Sequence, residues 1–253
     1  MRKVYLLLLA VLIHFVSCKQ VEQPIYQLST IETLLAGNYD GQKHVEYLKS
    51  HGNFGIGTFD KLDGEMIFYK GEIFKAQSNG TVCDAKENET TPYATVCWFQ
   101  PSIEFSIAHF STIIELDSII KKQLPNDSYI YAIEVTGMFD SISVRSVNKQ
   151  EKPYKPLIEI VKTQAIFSNY SIPGALIGFY SPSTVKEIMV KGMHLHFLSE
   201  DMKKAGHLLK VSSNKNVHCR IAVYSGMQLD LCKVKKYSTD SKQMQADIEK
   251  VEK

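Results

Sequence analysis

Between residues 55 and 108 short apolar runs alternate with turn signals: "GIGTF", "LDG", "EMIFY", "KGEIFKA", "SNGT", "ATVCWFQ". Asp63-Gly64, Lys70-Gly71 and Asn79-Gly80 supply the positive-φ positions that tight hairpins need, so this half is expected to be antiparallel sheet. One segment breaks the rhythm. In "STIIELDSIIKKQL", residues 111–124, Ile113, Leu116, Ile120 and Leu124 share a helical face. Thr112 and Glu115 form a capping box and Pro125 closes the segment, which predicts a helix. Alternation returns in "YIYAIEVTGMFDSISVRSV", with Tyr129, Tyr131, Ile133 and Val135 on one face. A break is expected near Gly137, ahead of a second strand that carries Arg145. Prolines 153 and 156 mark a turn or linker, residues 157–167 suit a short helix, and 174–232 suit further strands. The expected fold is α+β: two closely associated halves, 18–150 and 151–253, built on mixed, largely antiparallel β-sheets with a few helices.

The first residues have a different character. Arg2 and Lys3 precede an apolar run of 13 residues from Val4 to Val16, too short to span a bilayer comfortably and suited to an export signal. The run ends in Phe15-Val16-Ser17-Cys18, which resembles a bacterial lipobox, so residues 1–17 are expected to be a lipoprotein-type signal peptide with Cys18 as the lipid anchor. An exported, periplasmic or membrane-anchored lipoprotein is the expected location. Loss of Arg2 and Lys3 with the leader takes the formal charge from +2 to zero, which argues against a nucleic-acid footprint. Four cysteines remain in a compartment that permits disulfides. Cys83 with Cys97 and Cys219 with Cys232 is one of three connectivities they allow.

The chemistry concentrates in "KGMHLHFLSEDMKKAGHLLK", residues 191–210. In a strand, side chains at i and i+2 point to one face about 6.5–7 Å apart, so His194 and His196 can lean onto one ion. His207 follows a polar connection and begins the returning strand, which sets it opposite the first two. Three neutral imidazoles leave Zn2+ with open positions for a substrate. The charged tail places Met244, Ile248 and Val251 on one helical stripe, either as a lightly packed solvated helix or as one that returns Glu249 or Glu252 to the site.

Five separated blocks, "LAGNYDG", "FGIGTFDKLDGEM", "QEKPYKPL", "GALIGF" and "GMHLHFLSED…GH", resemble in order and spacing the acetolactate decarboxylase family. The resemblance covers roughly residues 25–252 and implies a homodimeric zinc lyase that converts 2-acetolactate to acetoin and carbon dioxide. It places the motif histidines on His194, His196 and His207. By the same match the glutamate after the "LDG" turn is Glu65, the arginine before "QEKPY" is Arg145 and the threonine of "GIGTF" is Thr58. A C-terminal glutamate also reaches the metal in that family, for which Glu252 is the choice and Glu249 the second. Met193 stands where the family has tyrosine, Ala205 where it has glycine and Asn53 where it has aspartate. The expected roles are a metal acting as electron sink for an enediolate, Glu65 as metal ligand and proton relay, Arg145 as anion clamp and Thr58 as a hydrogen-bond partner of a substrate oxygen. A zinc hydrolase with Glu65 as base to a metal-activated water is the alternative, and a lipid-anchored metal-buffering protein a third reading. A serine hydrolase is disfavoured because no G-x-S-x-G motif occurs.

Overall fold

The computed structural model describes residues 23–233, 246–248 and 250–251. The leader 1–17, Cys18, Met244, Glu249 and Glu252 lie outside the described residues. Among the described residues no helix is long and apolar enough to cross a membrane.

In chain order the first elements are β1 (Ile25–Leu28), α1 (Ile31–Leu35), β2 (Lys43–His44), α2 (Val45–Lys49) and β3 (Phe54–Thr58). They are followed by β4 (Glu65–Tyr69), β5 (Glu72–Ala76), β6 (Val82–Asp84), β7 (Thr90–Thr91) and β8 (Ala94–Cys97). Then come β9 (Ile103–Ile107), α3 (Ile113–Lys121), β10 (Ile130–Ser146), α4 (Leu157–Ile160) and β11 (Ala165–Ser181). The last are β12 (Gly192–Ser199), β13 (Ala205–Ser212), β14 (Val217–Tyr224) and β15 (Met227–Asp230). The fold is α+β with two large, largely antiparallel sheets, as the turn spacing predicts, and a two-stranded ribbon of β2 and β7.

The first sheet has the order β15-β1-β8-β3-β4-β5-β6, antiparallel except where β15 lies parallel to β1. Its hairpins form where the glycine dipeptides stand: Lys70 and Gly71 both take positive φ between β4 and β5, and Gly80 does so between β5 and β6. The second sheet runs β11-β12-β13-β10-β14-β9 with an additional β10–β11 pairing, so β10, β11, β12 and β13 bond in a closed circuit. Its strands come from both sides of residue 150. Closure removes an open edge along part of the sheet and creates an interior. Tyr131, Ile133 and Val135 fill that interior with Leu176, Leu195, Phe197 and Leu208. Helix α3 seals it through Leu116 and Ile120. Its N-cap is as the sequence predicts: Thr112 accepts from the Glu115 N–H, and Glu115 accepts from the Ser111 N–H.

The opposite side of the circuit packs on the first sheet, where Ala132, Ala175, Ile177 and Phe179 meet Phe54, Ile56, Ile67 and Phe74. Small residues on β10 and β11 let the sheets approach. The break expected at Gly137 is not one: β10 runs through it as a 17-residue strand that pairs along its length with β11. Glycine is still required there, because a Cβ would stand 2.8 Å from Val217.

The two proposed disulfides are absent, and all four body cysteines are free thiols. Cys97 on β8 and Cys83 on β6 belong to strands four steps apart in one sheet, about 19 Å at 4.8 Å per step, whereas a bridge needs Cα atoms within about 7 Å. Cys219 lies in the interior of the second sheet and Cys232 packs on the first. Burial pushes the Cys97 and Cys219 thiols up to about 12, so they behave as small apolar groups.

Candidate metal centre

The histidines meet because of register. His196 stands directly opposite His207 across β12 and β13, and His207 stands opposite Arg145 across β13 and β10. Cross-strand partners have Cβ atoms about 4.5–5.5 Å apart, so three neighbouring strands gather these groups on the face that looks toward the first sheet. A register shift between Ser143 and Val144 precedes Arg145 and re-aims it. Gly206 lets β13 come close to β10 at this point: a Cβ there would lie 2.6 Å from the Arg145 carbonyl oxygen.

The ring centroids of His194, His196 and His207 are 5.0–5.4 Å apart, and one ligating nitrogen from each lies within 4.8 Å of the others. His194 Nε2 and His207 Nδ1 are 3.2 Å apart. Two nitrogens each 2.0–2.1 Å from a tetrahedral zinc ion are roughly 3.3 Å apart, so this pair suits such an ion. His196 Nδ1 lies 2.9 Å from the Met66 carbonyl oxygen, an acceptor only, so Nδ1 carries the proton and Nε2 is left unprotonated toward the cluster. An all-imidazole donor set fits Zn2+ and its neighbours among the first-row divalent metals.

Burial keeps the His194 and His196 rings neutral and therefore able to ligate. Loss of hydration, with the Arg145 charge adding to it, lowers the His194 pKa to about 3. Desolvation lowers His196 well below the ordinary imidazole value, and His194 and Arg145 add to the effect. An unfolded chain would protonate these rings from about pH 6.5 downward while the folded one does not, so stability falls as pH falls below that value. In metal-stripped protein His196, 1 % exposed, contributes to this loss as pH falls below about 6.5. Urea midpoints at pH 7.5 and 5.0 check this, and equal midpoints would mean solvated rings.

Strands β3 and β4 bring the other groups. Glu65 opens β4 beside Thr58 at the end of β3 and is 8 % exposed. Its Oε2 lies 3.8 Å from His196 Nε2 and its Oε1 lies 3.9 Å from an Arg145 guanidinium nitrogen. Arg145 is 4 % exposed, and its Nε has no hydrogen-bond partner among the described residues. A buried donor of that kind is costly unless a ligand completes it. The Thr58 hydroxyl donates to the Gly64 carbonyl, so it can offer a substrate only an acceptor lone pair and holds the turn before Glu65.

These groups line a cavity of about 40 Å³ roofed by Ile31, Leu34 and Leu157. The roof belongs to a small core of α1, α4, Tyr93 and Leu62, against which Ile248 and Val251 of the C-terminal stripe also pack. The structure thus brings together Thr58, Glu65, Arg145, His194, His196 and His207, while Glu252 lies outside the described residues. Sequence reasoning missed the Met66 carbonyl, which as a backbone group leaves no signature in residue identity, and Leu62 and Tyr93, which look like ordinary apolar residues. Clefts of about 580 and 420 Å³ lie elsewhere and include none of the six.

A model of the family described as alpha-acetolactate decarboxylase matches residues 25–243. This chain belongs to the alpha-acetolactate decarboxylase family. The alpha-acetolactate decarboxylase of Methanosarcina mazei is 38% identical over 231 residues, which cover 90% of this chain and 80% of that protein. That of Bacillus subtilis is 36% identical over 222 residues, covering 87% and 86%. The crystal structure of alpha-acetolactate decarboxylase from Bacillus subtilis strain 168 superposes with a TM-score of 0.86 at 35% identity, covering 90% of this chain and 98% of that one.

Proposed function

We propose that this chain is a carboxy-lyase that converts 2-acetolactate to acetoin and carbon dioxide, with Zn2+ held by His194, His196 and His207. Membership of the family supports the reaction. The observation that carries the metal and the mechanism is one face holding three imidazoles, a carboxylate and a guanidinium whose Nε has no hydrogen-bond partner among the described residues.

Loss of carbon dioxide from acetolactate leaves an electron pair that flows into the neighbouring ketone. A bound divalent ion supplies the sink for that charge, an effect worth several kcal/mol. The planar guanidinium of Arg145 binds the substrate carboxylate or the enediolate oxygen with the donor that has no partner among the described residues. Glu65, 3.8 Å from His196 and 3.9 Å from Arg145, is placed to carry the proton that replaces carbon dioxide. Delivery from one side fixes the handedness of the product. Thr58 holds Glu65 in place through the Gly64 carbonyl. The apolar side chains of Ile31, Leu34 and Leu157 line the site and lower its polarity, which strengthens the charge interactions there.

The test is direct. Purified protein incubated with racemic acetolactate is expected to form acetoin and carbon dioxide in equal amounts, with one acetoin enantiomer in excess. Absence of acetoin from metal-replete protein would overturn the assignment.

A further inference from the structure

The connection between β3 and β4 is strained next to the residue it delivers. Lys61 and Leu62 sit at φ 60° and 57°, the left-handed region that costs a residue with a Cβ roughly 1–2 kcal/mol. Gly64 follows at φ 101°, so close to β5 that a Cβ would lie 2.6 Å from the Ala76 carbonyl oxygen. The next residue is Glu65. Such conformations persist only where the surroundings over-determine them.

One part of those surroundings is a buried cation. Lys75 on β5 is 5 % exposed, and its Nζ donates to Asp63 Oδ2 at 2.7 Å and to Glu89 Oε1 at 2.8 Å. Asp63 lies in the strained turn, two residues before Glu65. Glu89 anchors the far side, where its second oxygen accepts from the Lys86 N–H. Desolvation alone would lower the Lys75 pKa, yet the two carboxylates more than offset it and hold the ammonium above its ordinary value. Lys75 does not line the metal cavity, so the chemistry described above makes no use of it. Burying a charge is expensive unless it is well paired, and this pairing falls on the turn that aims Glu65.

We propose that Lys75 is a positioning residue: clamped between Asp63 and Glu89, it pins the strained turn 60–64 and so sets where the Glu65 carboxylate stands between His196 and Arg145. This rests on the role given to Glu65 in proton delivery. An error of about 1 Å in a catalytic group costs on the order of 100-fold in rate, so loosening the turn should reach the chemistry without touching the metal.

The experiment compares Lys75→Met, Asp63→Ala, Glu89→Ala and the Lys75→Met/Asp63→Ala double variant, each as full-length zinc-loaded protein with zinc content measured. Lys75→Met and Asp63→Ala are expected to lower kcat about 10- to 100-fold with KM within about threefold, and to erode the enantiomeric excess of acetoin. Glu89→Ala removes one anchor but leaves Lys75 paired with Asp63, and is expected to lower kcat less than Lys75→Met or Asp63→Ala. The double variant should fall well short of the product of the single effects, because both changes cut the Lys75–Asp63 link, although Asp63→Ala also removes a 3.6 Å pair with Lys149. Wild-type kcat and handedness in Asp63→Ala would overturn the proposal, as would multiplying effects in the double variant or losses that track zinc content. Should Lys75→Met fail to fold, the contrast between Asp63→Ala and Glu89→Ala decides. Wild-type protein that forms no acetoin removes the lyase reading itself, whereas active wild type, inactive Glu65→Gln and unaffected Asp63→Ala remove only the clamp.

Discussion

Glu65→Gln is expected to lower turnover of acetolactate by about 10²–10⁴-fold while the protein keeps its fold and most of its metal. Glutamine fills the same volume, so the β3–β4 pairing with Thr58 and the β4–β5 pairing with Ala76 persist. Three imidazoles remain to hold the ion. What disappears is the proton carrier, since an amide neither takes up nor releases a proton at working pH. Loss of the carboxylate also leaves Arg145 without its acidic neighbour at 3.9 Å. Substrate affinity therefore changes less than turnover, because a carboxylate that repels the substrate anion has also been removed. Acetoin formation by metal-replete variant, with zinc content measured on the same sample, checks this. Wild-type turnover would show that another group delivers the proton. A product that is still formed slowly but as a racemate would show protonation by solvent.

The sequence carried much of this site because its parts sit where local rules are strong. The glycine dipeptides fix the hairpins, the Thr112 and Glu115 cap fixes α3, and His-x-His in a strand fixes which face two imidazoles share. A short polar connection between β12 and β13 makes His207 the cross-strand partner of His196 almost by necessity. Arg145, Glu65 and Thr58 had no such local signature and came from the family pattern. The failures share one cause. Cys83 and Cys97 are near in sequence, yet three strands intervene in the sheet, because strand order is decided by long-range pairing. The same holds for the parallel contact of β15 with β1 and for the closed circuit of β10 to β13, whose partners are far apart along the chain. Lys75 in "EIFKA" reads as an exposed strand residue until Asp63 and Glu89 are seen to converge on it.

His196→Ala is expected to take acetoin production to background and zinc content well below that of the wild type. His196 is 1 % exposed and its Nδ1–H donates to the Met66 carbonyl, so its ring is fixed in one tautomer and one orientation before any ion arrives. Removing it deletes a ligand, leaves the Met66 carbonyl without that donor, and opens a void between the sheets. Disruption of an outer-shell partner alone typically costs 10- to 100-fold in metal affinity, and loss of the ligand itself must cost more. His194 is half-buried, so water can take its place at the ion, and His194→Ala should retain more zinc than His196→Ala at the same chelator concentration. Cobalt loading makes the comparison visible, because the ligand-field absorption of a three-imidazole site shifts when one ring becomes water. Equal zinc retention in the two variants would mean that the Met66 contact does not organise the site. Full retention in His196→Ala would mean that the ion is held elsewhere, and the geometry of the three rings would then need a different explanation.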